Sequence, residues 1–417
     1  MPGNRQVSLI AFVACAIVAV TLAVQACPYC PPTDPPLSQK LAESDSACVV
    51  KFLDSKNGEE LSMQTTTFQV VKNLPVKDEL IVGSKITTPY GVTAEPGDHF
   101  LLMGQIKVGS MEWNLPIALD DLGSEHNYIL KAPALERPPV ERLAYFLKYL
   151  DSQNSTISND AFGEFARARF EDVEQLAPQL SREKVRSWVE DPNPQLDVRR
   201  AFYGMLLGLC GNDDDAVYLE QKILAPIDPD KNRLGIEGLM GGYLLLRGQA
   251  GLSTLIKKEL DSLPSKLSGD DPRIVDLNAM RTTLSFLWDF RRSQFTERSL
   301  RAAMRRFLDW PEFAEQAIID LARWKDWTPL DRLIAAYGQE PWETRSAKEK
   351  IVAYMLSCRK DVPKTAGNEL PAHAIKAQKF LDSLDPEFVQ SVKQMTSGPL
   401  SVPRTTAKAK SRDESSE

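Results

Sequence analysis

The segment TERSLRAAMRRFL, residues 296–308, is the stretch from which the fold of the larger part of the chain follows. Its apolar residues recur three and four positions apart, which places them on one face of an α-helix. Thr296 stands directly before the acidic Glu297, where its hydroxyl can cap the first turn. The spacing therefore predicts an amphipathic helix whose buried face is formed by Leu300, Ala303, Met304, Phe307 and Leu308.

The same helical spacing continues through residues 138–390 and repeats at a regular interval. Five leucines at comparable points of successive helix pairs lie 37, 41, 34 and 35 residues apart: Leu209, Leu246, Leu287, Leu321 and Leu356. This interval fits helix-pair repeats, and the region resembles a degenerate HEAT-like repeat array over about 200 residues. The resemblance implies an all-α solenoid, an architecture that presents an extended surface to another macromolecule. An irregular all-helical domain is the alternative interpretation.

Residues 37–132 carry a different pattern, in which short runs of β-branched and aromatic residues alternate with turn residues. Tight turns are indicated by Asn57-Gly58 and by Pro96-Gly97. Five or six short strands predict a small closed or nearly closed β-barrel, because closure leaves no exposed strand edge. The chain is therefore predicted to be a multidomain β + α protein, a small barrel followed by a helical solenoid. The predicted strands are residues 47–53, 65–72, 80–87, 99–106, 111–117 and 127–130.

Several motifs of this N-terminal region follow one another in a suggestive order: a cysteine-led start, LAESD, TFQVVK and PGDHFLL, all within residues 27–104. Together they resemble the netrin-module group, to which the tissue inhibitors of metalloproteinases belong. The resemblance implies an OB-like barrel. In those inhibitors the amine and carbonyl of the first cysteine chelate the target's zinc, and Cys27 is the matching position. The chain departs from the group in its CxxC spacing and in having no cysteine between Cys48 and Cys210.

Residues 1–26 predict export. Arg5 precedes an uncharged, apolar run of 18 residues, Val7–Val24, and small residues stand at the −3 and −1 positions of a cut after Ala26. A cleaved signal peptide is the main interpretation. An uncleaved anchor or a lipoprotein leader, with Ala26 and Cys27 as processing and lipidation residues, would also export the chain. The predicted location is periplasmic, cell-surface or extracellular, with membrane attachment through the N-terminus in the anchored forms.

Export makes disulfides favourable, and the cysteine count then becomes informative. Residues 27–36 form a Cys/Pro-rich start of the mature chain, and five cysteines follow the leader, an odd number. A lipid on Cys27 would explain the parity and leave Cys30 and Cys48 to form a disulfide. Two cysteines in apolar helical patterns are predicted to be buried thiols, Cys210 and Cys358.

Composition excludes some classes of function. With 50 basic and 57 acidic residues the net charge is −7, which argues against nucleic-acid binding, because such proteins need a basic face. The three histidines, His99, His126 and His373, leave little for a histidine-based catalytic or metal centre. Hydrolase, zinc-protease, phosphate-loop and dinucleotide motifs do not occur. We therefore predict a non-enzymatic binding or scaffold protein with no catalytic residue, cofactor or metal, whose partner is a protein or a glycan.

Arginines on the predicted helix 296–308 provide a candidate partner-binding surface. Arg298, Arg301 and Arg305 share the face opposite the apolar stripe, where they form a basic ridge on an acidic protein. We expect this ridge to dock an anionic polysaccharide or acidic protein; an ordinary solvated helix face is the alternative. Two other functions stay open, a netrin-module-type inhibitor or regulator of an extracytoplasmic enzyme and a carboxylate-dependent hydrolase on an α/α scaffold. Residues 398–417 are predicted to be a disordered tail.

Overall fold

A computed structural model describes residues 27–56, 64–119, 124–227, 233–264, 267–362 and 370–396. The predicted leader, the predicted tail and the Asn57-Gly58 turn lie outside these residues. The chain divides into two compact units, one ending at Leu176 and the other beginning at Ala177. A β region followed by a helical region is confirmed, although the predicted start of the helical region at residue 138 falls inside the first unit.

The first unit contains one antiparallel sheet. Its described strands are β1 (Ser46–Lys56), β2 (Thr65–Asn73), β3 (Lys85–Thr88), β4 (His99–Lys107), β5 (Ser110–Trp113) and β6 (Ile117–Leu119). The strand order is β3-β2-β1-β4-β5, with β6 paired to β4 beside β5. No pairing among the described strands joins β3 to β5, so the sheet is an open half-barrel and not a closed one.

Alternating apolar residues explain why β1, β2 and β4 form the centre of this sheet. Their inward side chains make one core, in which Phe68 packs edge to face on Phe52 and tilted against Phe100, at centroid distances of 6.2 and 5.4 Å. The predicted strand at 127–130 is wrong, because these residues lie in a helix. A four-residue apolar run does not distinguish the two structures, and here Tyr128 packs on the aromatic residues of the next helix, Tyr145 and Phe146.

Five helices complete the described part of the first unit: α1 (Leu37–Ala42), α2 (Ser124–Lys131), α3 (Pro139–Phe146), α4 (Ser155–Arg167) and α5 (Phe170–Glu174). Asn154 caps α4 by accepting a hydrogen bond from the backbone N–H of Ile157 at 3.1 Å. α4 buries most of its length, and its polar residues Asp160 and Glu164 face the other helices of the unit.

The described part of the second unit is helical. Its helices are α6 (Arg182–Glu190), α7 (Arg200–Cys210), α8 (Asp213–Ile223), α9 (Ile236–Leu255), α10 (Arg273–Phe290), α11 (Glu297–Arg306), α12 (Pro311–Arg323), α13 (Leu330–Ala336), α14 (Arg345–Lys360), α15 (Ala372–Asp382) and α16 (Pro386–Thr396). Its main contacts join near neighbours in the chain, α7 and α8 with α9, α9 with α10, α12 with α14 and α14 with α15. This is a solenoid-like layout.

The predicted helix 296–308 is confirmed as α11 and the short 3-10 turn Phe307–Asp309 that follows it. Thr296 is its N-cap, and the Thr296 hydroxyl accepts a hydrogen bond from the Ser299 N–H at 3.1 Å. All five apolar residues of the predicted face are buried. The periodicity therefore identified the buried face of this helix correctly.

Glycines bring α7 and α9 into direct backbone contact. Gly204 and Gly208 lie one turn apart on α7, and Gly238 and Gly242 lie one turn apart on α9. A Cβ atom at any of the four would stand between 1.8 and 2.8 Å from backbone atoms of the facing helix. Only glycine permits this approach, so the pair of helices depends on residues without side chains.

Candidate functional site

The three arginines of the predicted ridge have different environments. Arg298 is exposed, and it makes no hydrogen bond or ion pair within the described residues. Arg301 donates from Nε and Nη2 to the carbonyl oxygen of Trp324, at 3.1 and 2.6 Å. Arg305 donates to the Asp326 carboxylate and, at 3.4 Å, to the Thr328 hydroxyl. Arg301 and Arg305 thus hold the turn after α12, and Arg298 is the member of the ridge whose charge faces solvent.

The turn that receives these arginines ends α12 with a Schellman motif. The Lys325 N–H donates to the Ala322 carbonyl at 3.1 Å, the Asp326 N–H donates to Leu321 at 2.9 Å, and Lys325 has a φ of +54°. The Asp326 side chain is buried, and one of its oxygens accepts from the Thr328 N–H at 3.1 Å. Arg305 therefore neutralises a carboxylate that the fold places away from water.

Replacing Arg305 by alanine is expected to lower the free energy of unfolding by about 2 kcal/mol, because Asp326 loses its cation while it stays buried. Arg298→Ala removes an arginine of the same helix that has no described partner, and its effect should stay within about 0.5 kcal/mol. Urea denaturation of both variants measures the difference. Equal losses would mean that Arg305 is no more structural than Arg298.

Two tryptophans form a stacked pair beneath this surface. The Trp288 and Trp324 rings are 4.5 Å apart with an interplanar angle of 8°, and both side chains are buried. The guanidinium groups of Arg292 and Arg301 lie 5.5 and 5.1 Å from the Trp288 ring centre, a cation–π arrangement. The tryptophans fill the seam between α10 and α12, and the arginines cover its outer side.

Two exposed arginines lie at the turn between α10 and α11 and at the start of α11. Arg292 has 54% of its side-chain surface exposed, and its nearest carboxylate, Glu297, is 3.9 Å away. Arg298 stands six residues further along on the first turn of α11. We call these two residues the arginine pair. Sequence reasoning placed Arg292 near the ridge but not in it, because Arg292 lies outside the helix whose periodicity identified the ridge.

A charge-balanced cluster lies deeper in the same unit. Arg323 donates to both oxygens of Asp289, at 2.6 and 2.8 Å, and to Asp320 at 3.3 Å. Arg281 donates to the second oxygen of Asp320 at 3.1 Å. Burial raises the pKa of Asp320, which the two arginines partly offset. Both carboxylates accept hydrogen bonds from guanidinium groups. The cluster therefore links helices and has a structural role.

A second buried polar cluster belongs to the first unit. The two oxygens of Asp160 accept hydrogen bonds from the Leu37 N–H and the Tyr128 hydroxyl, both at 2.6 Å. The Glu164 carboxylate accepts from Arg142 at 2.8 Å and from the Ser38 hydroxyl. Burial raises the pKa of both acids.

All four oxygens of this acid pair are bound by protein groups. The cluster therefore fastens α1, α2 and α3 to α4 and leaves no carboxylate oxygen for a substrate. A raised pKa is often found at catalytic acids, but here it has a structural cause, namely burial among the helices of one unit. This pair does not provide the converging carboxylates that the hydrolase alternative requires.

The cysteines pair differently from the prediction. Cys27 and Cys30 form a disulfide with a Cα–Cα distance of 5.4 Å, while Cys48 is a free, buried thiol. The predicted Cys30–Cys48 disulfide does not form, because Cys48 points into the core of the sheet. A sulfur in this bridge cannot also carry a lipid, so bridge and lipidation are alternative states of Cys27. The other predicted processing residue, Ala26, lies outside the described residues.

In the remaining three cysteines, burial disfavours the thiolate form. Burial raises the pKa of Cys48 and of Cys358 to about 12. Burial, with a smaller contribution from Asp215, raises the pKa of Cys210 to about 11. Cys358 is buried as predicted, and Cys210 is half-buried.

The described part of the chain contains no cluster of three or more His, Cys, Asp or Glu side chains that could bind a metal ion. His99 lies on β4 opposite Lys51, and the His373 ring stacks on Trp327 at 5.9 Å. The side chain of His126 lies outside the described residues. No helix of the described residues combines the length and apolarity that crossing a membrane requires.

Two shallow cavities of about 270 and 210 Å³ are found in the second unit. The larger is lined by residues that include Glu315 and Trp342, and the smaller by residues that include Lys325 and Trp327. Small-molecule sites usually enclose 300–1,000 Å³, so neither cavity suggests an enclosed substrate site. Comparison of the chain with protein-family models and with curated protein sequences gives no match.

Proposed function

We propose that the helical unit is a non-catalytic binding module for an acidic protein or an anionic glycan, and that the arginine pair, Arg292 and Arg298, is the centre of its contact surface. The observation that carries this proposal is a contrast among neighbouring arginines. Arg301 and Arg305 are bound by the turn after α12, whereas Arg298 has no described partner and Arg292, which lies over the Trp288 ring, keeps 54% of its side chain exposed. Exposed arginines on a rigid helix pair suit bidentate binding of carboxylate or sulfate groups.

The rigidity of the surface comes from the seam beneath it. The stacked Trp288 and Trp324 rings fix α10 against α12, and Arg301 fixes α11 to the turn after α12. Few groups of this surface would therefore lose mobility when a partner binds Arg292 and Arg298, and this lowers the entropic cost of binding.

A HEAT-like repeat array is part of the same proposal. Polar contacts join residues about one predicted repeat apart: Arg247 with Asp213 and Arg323 with Asp289, both separated by 34 positions, and Lys325 with Asp361, separated by 36. The leucine interval of 34–41 residues has the same length. Repeats stacked in this way offer a continuous outer surface without a deep pocket, which suits a macromolecular partner. For the first unit we propose an OB-like domain, an assignment that its half-barrel sheet supports.

The double variant R292A/R298A is expected to bind immobilised dextran sulfate and polyglutamate about tenfold more weakly than the wild type, because two exposed cations are removed from one site. Elution from either matrix in a salt gradient measures the loss. Circular dichroism should show unchanged helix content, since Arg298 has no described partner and the contacts of Arg292 with Trp288 and Glu297 are long and partly exposed to water.

The matched control is R137A/R169A, which removes two exposed arginines of the first unit and changes the net charge equally. Its elution should stay close to that of the wild type. If both double variants elute earlier by the same amount, the retention reflects overall charge, and the arginine pair is not a binding site.

A further inference from the structure

Four exposed aliphatic side chains lie at the same end of the sheet in the first unit. We call them the apolar rim: Ile81, Val82, Ile106 and Val108, which are 80, 62, 50 and 108% exposed. Among the described residues of the sheet region, the other large aliphatic residues with comparable exposure are Val71 and Leu115.

The strand register places the rim residues at the same end of the sheet. Ser46, the first residue of β1, pairs with Gly104, so Ile106 and the turn at Val108 lie beyond the start of β1. Asn73, the last residue of β2, lies at the same end, since it pairs with Cys48. Its side chain binds the backbone of Leu80 at 2.7 and 3.1 Å, which holds the segment containing Ile81 and Val82 there.

Val108 is strained as well as exposed. It forms, with Gly109, the two-residue turn between β4 and β5, and both residues have positive φ, +48° and +84°. This turn favours Asn-Gly, and a β-branched residue rarely adopts its first position. The Val108 side chain has no packing that would compensate, because it is fully exposed. Neither the turn nor the core explains a valine here, which points to a contact outside the chain.

We propose that the apolar rim inserts into the interfacial layer of a lipid bilayer. The rim consists of turn tips, which are convex and can enter a bilayer without a matching pocket. It is aliphatic throughout, whereas contacts that dominate protein interfaces are enriched in Trp, Tyr and Arg and poor in Val and Leu. Moving such side chains out of water is favourable, with a free energy in proportion to the apolar area that is buried.

Positive and negative charges near the rim are balanced, and this balance indicates which lipid headgroups the rim should bind. Lys107 pairs with Glu112 at 3.0 Å, and Lys77 pairs with Asp45 at 2.7 Å. The exposed acids that precede Ile81 are matched in number by exposed lysines: Asp78 and Glu79 by Lys72 and Lys85. A balanced set of charges gives little net attraction to anionic headgroups, so apolar burial drives the insertion. The rim should therefore bind zwitterionic phosphatidylcholine vesicles, with little dependence on salt.

The test compares full-length variants by co-sedimentation with phosphatidylcholine vesicles. V108N and I81S/V82S should each partition at least about fivefold more weakly than the wild type, because each removes aliphatic area from the rim. L115N is the matched control, since Leu115 is 66% exposed but lies in the segment between β5 and β6, outside the turns that carry the rim, and its partitioning should not change. The melting temperature of V108N should be equal to or above that of the wild type, because asparagine tolerates a positive φ.

Residues 7–24 are apolar enough to bind vesicles themselves, so the difference between variants of the same chain decides the outcome. Equal partitioning of V108N, I81S/V82S and L115N would overturn the proposal, as would a wild type that stays in solution. Sedimentation velocity without lipid is measured alongside. If V108N abolishes self-association and no variant changes vesicle binding, the rim contacts a second copy of the chain and the bilayer proposal is wrong.

Discussion

Replacing Gly238 by alanine is expected to lower the free energy of unfolding of the second unit by about 3 kcal/mol, a large fraction of the stability of an ordinary domain. The new Cβ atom would stand 1.8 Å from the carbonyl oxygen of Ala201 and 2.3 Å from its Cα. These are backbone atoms of α7, so no change of rotamer relieves the overlap and the two helices must separate. Urea denaturation followed by far-UV circular dichroism measures the loss.

Gly269→Ala is the control for this substitution. A Cβ atom at Gly269 meets nothing within 4 Å, so the variant should unfold within about 0.5 kcal/mol of the wild type. Gly242→Ala should resemble Gly238→Ala, because its Cβ would lie 2.1 Å from the carbonyl oxygen of Gly204. A stable Gly238→Ala protein would contradict the close contact between α7 and α9.

Local periodicity predicted α11 well, and it could not predict the use of the α11 arginines. The buried face follows from residues within the helix, so Thr296, Leu300 and their neighbours were identifiable in sequence. The partners of Arg301 and Arg305 are 23 and 21 positions away, in a turn whose placement depends on how α12 packs. Long side chains reach such partners, and nothing in the spacing of the arginines encodes them. For the same reason the sequence could not distinguish Arg298, which is exposed, from Arg301 and Arg305, which share its helix face but bind a distant turn.

In the β region, short sequence patterns were not sufficient to predict the boundaries of the strands. β1, β2 and β4 have enough alternating residues to be recognised, whereas the run at 111–117 is two strands separated by residues 114–116. The glycines of α7 and α9 are visible in sequence at a spacing of four, but their facing arrangement is a property of the packed helices. The Cys27–Cys30 disulfide differed from the expected pairing because the burial of Cys48 in the sheet is also tertiary.

Replacing Asp215 by alanine is expected to lower the free energy of unfolding by about 3 kcal/mol. The carboxylate is fully buried and accepts hydrogen bonds from Arg182 at 2.5 Å, from Arg186 at 2.8 Å and from the Asn212 N–H at 2.9 Å. The variant breaks the capping box of α8 and leaves two guanidinium groups without their shared acceptor. Both arginines keep part of their surface in water, 33 and 27%, so the loss stays at the low end for a buried pair.

The effect of Asp215 should depend on pH in a defined direction. Burial alone would raise the pKa of Asp215, but the hydrogen bonds from Arg182 and Asn212 outweigh it and leave the pKa below its ordinary value. A folded-state pKa below the unfolded one means that the stabilisation is complete above the ordinary aspartate pKa of about 4 and is lost as the pH falls through the folded value. The difference between wild type and Asp215→Ala should therefore be constant near neutral pH and shrink in acid.

The variant Asp214→Ala is the control that distinguishes the contacts of Asp215 with its two arginines from the general effect of an acid at a helix N-terminus. Asp214 precedes Asp215 in the first turn of α8 and is exposed, so its loss removes only the interaction with the helix dipole, about 0.5 kcal/mol. Urea denaturation of both variants at neutral and acidic pH gives the comparison. If the two substitutions have the same effect, the negative charge of the first turn is what stabilises α8, and the contacts with Arg182 and Arg186 contribute nothing measurable.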